Sequence, residues 1–170
     1  VDRRQRQMCI RDRYITKYEK NKEYPIYTRK YMNLEAEEEI LIDVNELAKD
    51  YDYYQVSGIS ISPDNKKMAF GVDTLSRRIY TIKVKDLGTG KMYPDKIHGV
   101  NSYTTWASDS KTMFYTGKDE QTLRSDKIFR HTLGESQDDD TLVYEEKDET
   151  FSTYVYPSKS REYIMIGSTS

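Results

Sequence analysis

Apolar and polar residues alternate along several short segments in the middle of the chain. Ile59 and Ile61 share one face of such a segment, and Tyr80, Ile82 and Val84 repeat the two-residue period further on. This period is typical of β-strands that bury one face. The pattern predicts six strands, at residues 57–61, 67–72, 79–85, 103–106, 112–116 and 127–132.

Turn-forming residues separate these segments at a regular spacing. Asp64, in a Ser-Pro-Asp turn, lies 45 residues before Asp109, and Leu87 lies 46 residues before Leu133. A weaker third copy begins at residue 154, with its return strand at 163–166. A four-stranded unit that recurs every ~40–50 residues is typical of a propeller blade. We therefore predict an all-β fold, a partial β-propeller of about three blades with antiparallel four-stranded sheets; a β-sandwich remains the alternative.

The N-terminal part of the chain shows a similar pattern with less regular spacing. Residues 14–31 predict a hairpin around a polar turn, and residues 40–42 predict a short buried strand. Asp43 precedes a segment that could form one helical turn, so we predict Asp43 as its N-cap. The acidic residues 35–39 are interpreted as a solvated loop.

Residues 1–13 differ from the rest of the chain in composition. They contain five of the eleven arginines, none of the sixteen lysines and the single cysteine, Cys9. A basic arm for an anionic partner and a targeting peptide are both conceivable, but the apolar core of a secretory signal is missing. Residues 8–13 resemble translated sequencing-adapter read-through. We therefore predict that residues 1–13 are non-native or disordered and that the propeller region is 14–170.

Composition limits the classes of function. The net charge is −2 with 33% charged residues, so no strong field of one sign favours nucleic acid or a membrane. No apolar run is long enough for a transmembrane helix. Cys9 alone can form neither an internal disulfide nor a multi-thiolate metal site, and it weakly favours a reducing compartment. We predict a cytoplasmic protein with no cofactor, no metal, and no nucleic-acid or membrane partner.

Three segments superficially resemble known chemical motifs. Residues 58–62 approach the Gly-x-Ser-x-Gly elbow, but Ser62 replaces the last glycine, and Ser60 lies within a predicted strand rather than at a strand-to-helix turn. Residues 88–91 lack the spacing of a phosphate-binding loop. Residues 138–140 lack the glycine and distal glutamate of a calcium loop. We interpret these segments as a strand, a turn and a solvated loop.

The histidines and the tryptophan are weak candidates for chemistry. Neither His98 nor His131 has a metal-type partner nearby in sequence or an evident orienting carboxylate. We predict that both face solvent or satisfy a strand edge. For Trp106, inward packing is favoured over a role as an exposed aromatic anchor.

Five segments occur in an order that is specific to one family. They are residues 61–65, 73–78, 106–110, 118–124 and 144–150. In this order they resemble the N-terminal propeller of the prolyl oligopeptidase family of serine peptidases, and within it the oligopeptidase B group. The resemblance covers residues 14–170. A Ser-Pro-Asp turn alone occurs in many propellers, whereas the ordered set is specific.

The resemblance implies an architecture and an activity. Members of the family carry a seven-bladed propeller that caps an α/β-hydrolase domain, which holds the Ser, Asp and His triad. The oligopeptidase B group cleaves short peptides after Lys or Arg, and the propeller restricts substrate access. No residue of this chain corresponds to a member of the triad, so we expect the chain alone to be inactive.

Arg77 and Arg78 are the site residues to which the resemblance points. One of them could pair with an acidic group across the domain interface, because the planar guanidinium makes bidentate contacts. A solvated pair at the start of a strand is the alternative. A non-enzymatic propeller that binds protein partners is the competing function, and downstream sequence with or without the catalytic elbow would discriminate the two.

Overall fold

A computed structural model describes residues 12–170 of the chain. They divide into two compact units, the first ending at Tyr51 and the second spanning Asp52–Ser170. The elements are β1 (Asp12–Lys17), β2 (Ile26–Tyr31), β3 (Glu38–Asp43), α1 (Val44–Leu47), β4 (Gln55–Ile61), β5 (Lys67–Asp73), β6 (Tyr80–Asp86), β7 (Met92–Trp106), β8 (Thr112–Lys118), β9 (Ser125–Thr132), a 3-10 turn (Gln137–Asp139), β10 (Thr141–Glu145), β11 (Ser152–Pro157) and β12 (Ile164–Thr169).

The first unit is a three-stranded antiparallel sheet in the order β1-β2-β3, followed by α1. Leu41 and Val44 are buried in it. The Asp43 carboxylate accepts a hydrogen bond from the Asn45 amide at 2.9 Å, which satisfies one of the free N–H groups at the start of the helix. The predicted hairpin and the predicted cap are thus confirmed. The strand expected at 40–42 is confirmed as part of β3, although Ile40 is exposed.

Two expectations for this unit are wrong. Asp12 and Arg13 belong to β1, and Asp12 is only 6% exposed, with Arg29 Nη1 at 3.5 Å from its carboxylate. Their arginine-rich surroundings gave no sign of this pairing; the rest of the predicted foreign segment, residues 1–11, lies outside the described residues. The solvated acidic loop is confirmed for residues 35–37 and is wrong for Glu38 and Glu39, which begin β3, where Glu39 accepts from Arg29 at 2.6 Å.

The second unit contains a seven-stranded antiparallel sheet in the order β10-β9-β8-β7-β6-β5-β4 and a separate β11-β12 hairpin. Five of the six predicted strands are present within two residues of their expected bounds, the sixth forms the end of the longer β7, and β11 and β12 confirm the strands of the third copy. The sheet therefore has the antiparallel all-β character that the repeat predicts.

Strand β7 differs from the prediction because it runs without a break from Met92 to Trp106. Its first half pairs with β6, for example Ile97 with Ile82, and its second half pairs with β8, for example Thr104 with Tyr115. We call β4, β5, β6 and the first half of β7 the first half-sheet, and the rest of β7 with β8, β9 and β10 the second half-sheet. Each half-sheet is a four-stranded unit, as the repeat predicts.

The main hydrophobic core of this unit draws on both half-sheets. Val84, Ile97, Trp106 and Met113 belong to one buried cluster. The second half of β7 also approaches β5 closely, since a Cβ added at Gly71 would lie 2.8 Å from the Cα of Ser102. The absence of a side chain at Gly71 therefore allows the two backbones to meet.

Candidate functional site

Three of the five family-like segments meet at one end of the second unit. The β5–β6 loop, the β8–β9 loop and the β10–β11 connection carry residues 73–78, 118–124 and 144–150, respectively. We call this the loop end. The other two segments form hairpin turns at the opposite end, where the Asp64 amide donates to the Ser110 hydroxyl at 3.0 Å.

The β5–β6 loop is organised by a buried carboxylate. Asp73 accepts hydrogen bonds from the backbone N–H of Leu75 at 2.9 Å and of Arg78 at 2.8 Å. Ser76 and Arg78 have φ angles of 56° and 57°. Non-glycine residues adopt this left-handed region only when the surroundings hold them there. Asp73 thus holds a strained loop that leaves Arg77 exposed at its tip.

The loops of the two half-sheets contact each other through cations. Lys118 Nζ donates to the Arg78 carbonyl at 2.8 Å, and Arg77 Nη2 donates to the Glu120 carbonyl at 3.4 Å. Burial, followed by the positive charge of Arg78, lowers the pKa of Lys118. The loop end therefore brings the cationic side chains of Arg77, Arg78 and Lys118 together, and the charge of Asp73 acts on Lys118 from within the same loop.

The β8–β9 loop is folded around a second aspartate. Asp119 accepts from the Thr122 amide at 2.7 Å, the Thr122 hydroxyl at 2.8 Å and the Gln121 amide at 3.0 Å. These bonds, that of the Thr122 amide foremost, lower the pKa of Asp119 because they stabilise its charged form. The carboxylate therefore remains ionised and keeps the loop closed at neutral pH.

Arg124 holds the β10–β11 connection against this loop. Its guanidinium donates to the backbone carbonyls of Glu146 at 3.3 Å, Asp148 at 3.0 Å and Phe151 at 3.0 Å. The planar fork of arginine can satisfy several acceptors at once. Arg124 belongs to segment 118–124 and donates to carbonyls in segment 144–150, so one side chain connects two of the five family-like segments.

The predicted site residues Arg77 and Arg78 lie next to each other at the loop end, and both are exposed. Lys118 and Arg124 were missed as partners because their contacts connect residues 22 to 40 positions apart. A loop with an aspartate near its start occurs in both 73–78 and 118–124. This repetition is the sequence signal that could have indicated the roles of Lys118 and Arg124. Chemically, this cluster can bind carboxylates, but it holds no nucleophile paired with a base.

The other candidates have structural roles in this unit. Ser60 lies in β4, and its carbonyl oxygen accepts from Trp106 Nε1 at 3.1 Å. Trp106 is 6% exposed, so inward packing is confirmed. Residues 88–91 form the β6–β7 turn, in which the Asp86 carboxylate accepts from the Thr89 amide at 2.7 Å.

The prediction for the histidines is wrong for His131. Its side chain is 1% exposed, with Nδ1 at 2.7 Å from Asp140 and Nε2 at 3.0 Å from Asp95. Asp140 is consequently buried at its side chain rather than solvated with the rest of 138–140. His98 is exposed, with Nδ1 at 3.0 Å from the Thr81 hydroxyl. Since substrate cannot reach His131, the arrangement is not a peptidase triad.

Residues 12–170 contain no group of three or more His, Cys, Asp or Glu side chains positioned to hold a metal ion. No helix in the same described range is long and apolar enough to cross a lipid bilayer.

The repeated antiparallel strands and their paired loop ends define part of a β-propeller. The chain belongs to the prolyl oligopeptidase family, whose N-terminal β-propeller domain matches residues 10–170. It is 35% identical to Protease 2 of Moraxella lacunata over 164 residues, and 34% identical to dipeptidyl aminopeptidase BI of Pseudoxanthomonas mexicana over 168 residues. These alignments cover 92% and 90% of the chain.

The fold also matches a solved relative. Oligopeptidase B from Leishmania major superimposes with a TM-score of 0.89 at 35% identity, over 94% of this chain and 23% of that one. The chain spans 24% of the Moraxella protein and 23% of the Pseudoxanthomonas protein. It therefore corresponds to about a quarter of these relatives.

Proposed function

We propose that this chain is the N-terminal part of the propeller of an oligopeptidase B-like serine endopeptidase that cleaves short peptides after Lys or Arg. In this proposal the full propeller has seven blades and controls access to a hydrolase domain that lies outside the chain. The observation that carries the proposal is the 0.89 TM-score to oligopeptidase B at 35% identity over nearly the whole chain. The 35% identity to Protease 2 supports the same peptidase class.

The role proposed for the loop end is contact with the hydrolase domain. Arg77 is exposed on a loop held by Asp73, and Lys118 places a third cation beside Arg78. A carboxylate on a facing domain would complete ion pairs with this cluster, and Arg77 could bind it in a bidentate manner. Because the loop is already ordered, little conformational entropy would be lost on contact.

A chimera tests whether this chain can act as the propeller of such a peptidase. Residues 12–170 replace the corresponding quarter of Leishmania major oligopeptidase B, and cleavage of a fluorogenic Arg-Arg peptide is measured. We expect the chimera to cleave this peptide, to reject an analogue with Ala before the scissile bond, and to spare a large folded protein. A chimera that folds but does not cleave the Arg-Arg peptide, or that degrades the large folded protein, would contradict the proposal.

The loop-end role is tested separately within the active chimera. Arg77→Ala combined with Arg78→Ala should lower kcat/KM by about tenfold, corresponding to loss of roughly 1–2 kcal/mol of charge-assisted contact. Lys91→Ala, which removes a cation from the turn at the opposite end, is the matched control and should leave kcat/KM unchanged. Equal effects of the two changes would leave the peptidase assignment standing but exclude the interdomain role.

The chain by itself should not cleave peptides. Amide hydrolysis requires a nucleophile positioned against a base, together with donors for the oxyanion, and Ser60 lies in a strand without such partners. The purified chain should therefore be inert toward the Arg-Arg peptide. Turnover that disappears in the Ser60→Ala variant would overturn this assignment of roles.

A further inference from the structure

His131 forms a buried charge site that connects the two half-sheets. It belongs to β9, and it lies between Asp95 on the first half of β7 and Asp140 just before β10. Tyr115 on β8 donates its hydroxyl to Asp140 Oδ2 at 2.7 Å. The backbone N–H of Gly134 donates to the same Asp95 oxygen that faces His131. Residues from three strands and two turns therefore meet at one imidazole.

Hydrogen-bond accounting determines how many protons this site holds. A neutral imidazole has one N–H and one lone pair, and an ionised carboxylate can only accept. Both ring nitrogens of His131 face carboxylate oxygens, at 2.7 Å and 3.0 Å. With a neutral ring, one of these contacts would oppose a nitrogen lone pair to a carboxylate oxygen in a buried site, which is strongly unfavourable.

The hydrogen-bond donors around the site indicate that the additional proton lies on the imidazole ring of His131 and not on a carboxyl group. Tyr115 and Gly134 already donate to Asp140 and Asp95, so both carboxyl groups are arranged as acceptors. The second oxygen of Asp95 is buried with no hydrogen-bond partner, and a proton there would have no acceptor. We propose that His131 is held in the folded protein as a doubly protonated imidazolium, and that folding at neutral pH takes up one proton at this site.

The charges around the site favour this state. Burial and the bond to Asp140 raise the pKa of Tyr115, so its hydroxyl remains a donor to Asp140. Lys96 and Arg130, the strand neighbours of Asp95 and His131, are exposed. Among residues 12–170, the ion pairs of Asp95 and Asp140 are made only with His131. The imidazolium is thus the cation that pairs with both carboxylates.

The proposal makes the joint between the half-sheets sensitive to alkaline pH. A histidine in the unfolded chain is mostly neutral above about pH 6.5. Because the folded site would then bind one proton more than the unfolded chain, stability falls as the pH rises. Because one proton is taken up on folding, the folding equilibrium constant can decrease by at most about tenfold for each pH unit by which the pH rises.

Urea unfolding of the full chain at pH 6.5, 7.5 and 8.5 tests this linkage. The His98→Gln variant is the matched control, because it removes the other, exposed histidine and should keep the pH dependence of the natural sequence. The His131→Gln variant should lose that dependence, since a glutamine takes up no proton. Equal pH dependence of the folding constant in the three proteins would overturn the proposal.

A spectroscopic measurement decides the question if His131→Gln does not fold. In the His98→Gln chain, His131 is the only histidine. At pH 7.5, its two ring nitrogens should both give ¹⁵N resonances of the protonated type, each coupled to a hydrogen. One protonated and one unprotonated nitrogen would show a neutral ring and refute the proposal.

Discussion

Trp106 is expected to make one of the largest single side-chain contributions to the stability of the second unit. It lies at the end of β7 in the core cluster with Val84 and Met113, and its Nε1 donates to the Ser60 carbonyl at 3.1 Å. Replacing a buried tryptophan by alanine typically costs about 3–5 kcal/mol, because transfer free energy is lost and a cavity remains. We expect Trp106→Ala to fall in this range.

The Trp106→Phe variant separates packing from hydrogen bonding. Phenylalanine retains most of the apolar contact but cannot donate to Ser60, so we expect a loss of about 1–2 kcal/mol. Leu75→Ala is the control: Leu75 is 75% exposed, and its truncation should change stability by less than about 0.5 kcal/mol.

Urea unfolding followed by circular dichroism measures these differences, since Trp106 is the single tryptophan and its fluorescence is lost in both variants. The expected order of stability is natural sequence, then Trp106→Phe, then Trp106→Ala. A Trp106→Ala protein as stable as Leu75→Ala would show that the core does not depend on this side chain and would refute the packing argument.

Three further predictions concern the glycines, the loop end and acid. Gly71→Ala should destabilise by about 1–3 kcal/mol because its Cβ would clash with the β7 backbone, whereas Gly88→Ala has room and should be nearly neutral in urea unfolding. Arg124→Lys should speed proteolysis of the β10–β11 connection, and Arg130→Lys should not, because Arg124 alone bonds three carbonyls there. The pKa of Asp119 is lowered below 3.8, so the contribution of its carboxylate to stability is fully present above that pH and is lost as the pH falls through the lowered pKa. The Asp119→Asn variant should therefore show a smaller decline in melting temperature in acid. An unchanged decline would contradict this.

Local features of the fold could be predicted from the sequence because they depend on neighbouring residues. The alternation in β6 and the cap at Asp43 each involve a few consecutive positions, and both are confirmed. The predicted strand start at residue 103 is wrong, because β7 begins at Met92 and changes its pairing partner without leaving the strand. Pro94 lies in the first half of β7, at the edge of the first half-sheet, where its missing N–H is tolerated.

Contacts between distant residues could not be predicted in the same way. Asp95 meets His131 across 36 residues, and nothing in the run of three aspartates distinguishes Asp140 as the buried one. Asp12 was assigned to the foreign segment from composition, whereas its pairing with Arg29 depends on strand register. The composition of a segment indicates only how often its residue types are exposed to solvent on average. A single ion-pair partner decides whether one particular charged side chain is buried.

The two ends of the second unit differ in how their strain is compensated. At the turn end, Ser110 has a positive φ of 56°, and its hydroxyl accepts from the Asp64 amide, so the conformation joins the two half-sheets. At the loop end, Ser76 and Arg78 also have positive φ, a conformation that costs of order 1 kcal/mol each. Exposed Arg77 at the tip of that loop contributes little to folding. The Asp73 carboxylate compensates this strain through its bonds to the amides of Leu75 and Arg78. The proposed contact with another domain therefore rests on the exposed charge of Arg77 and not on strain, and the Arg77 and Arg78 substitutions in the chimera test it.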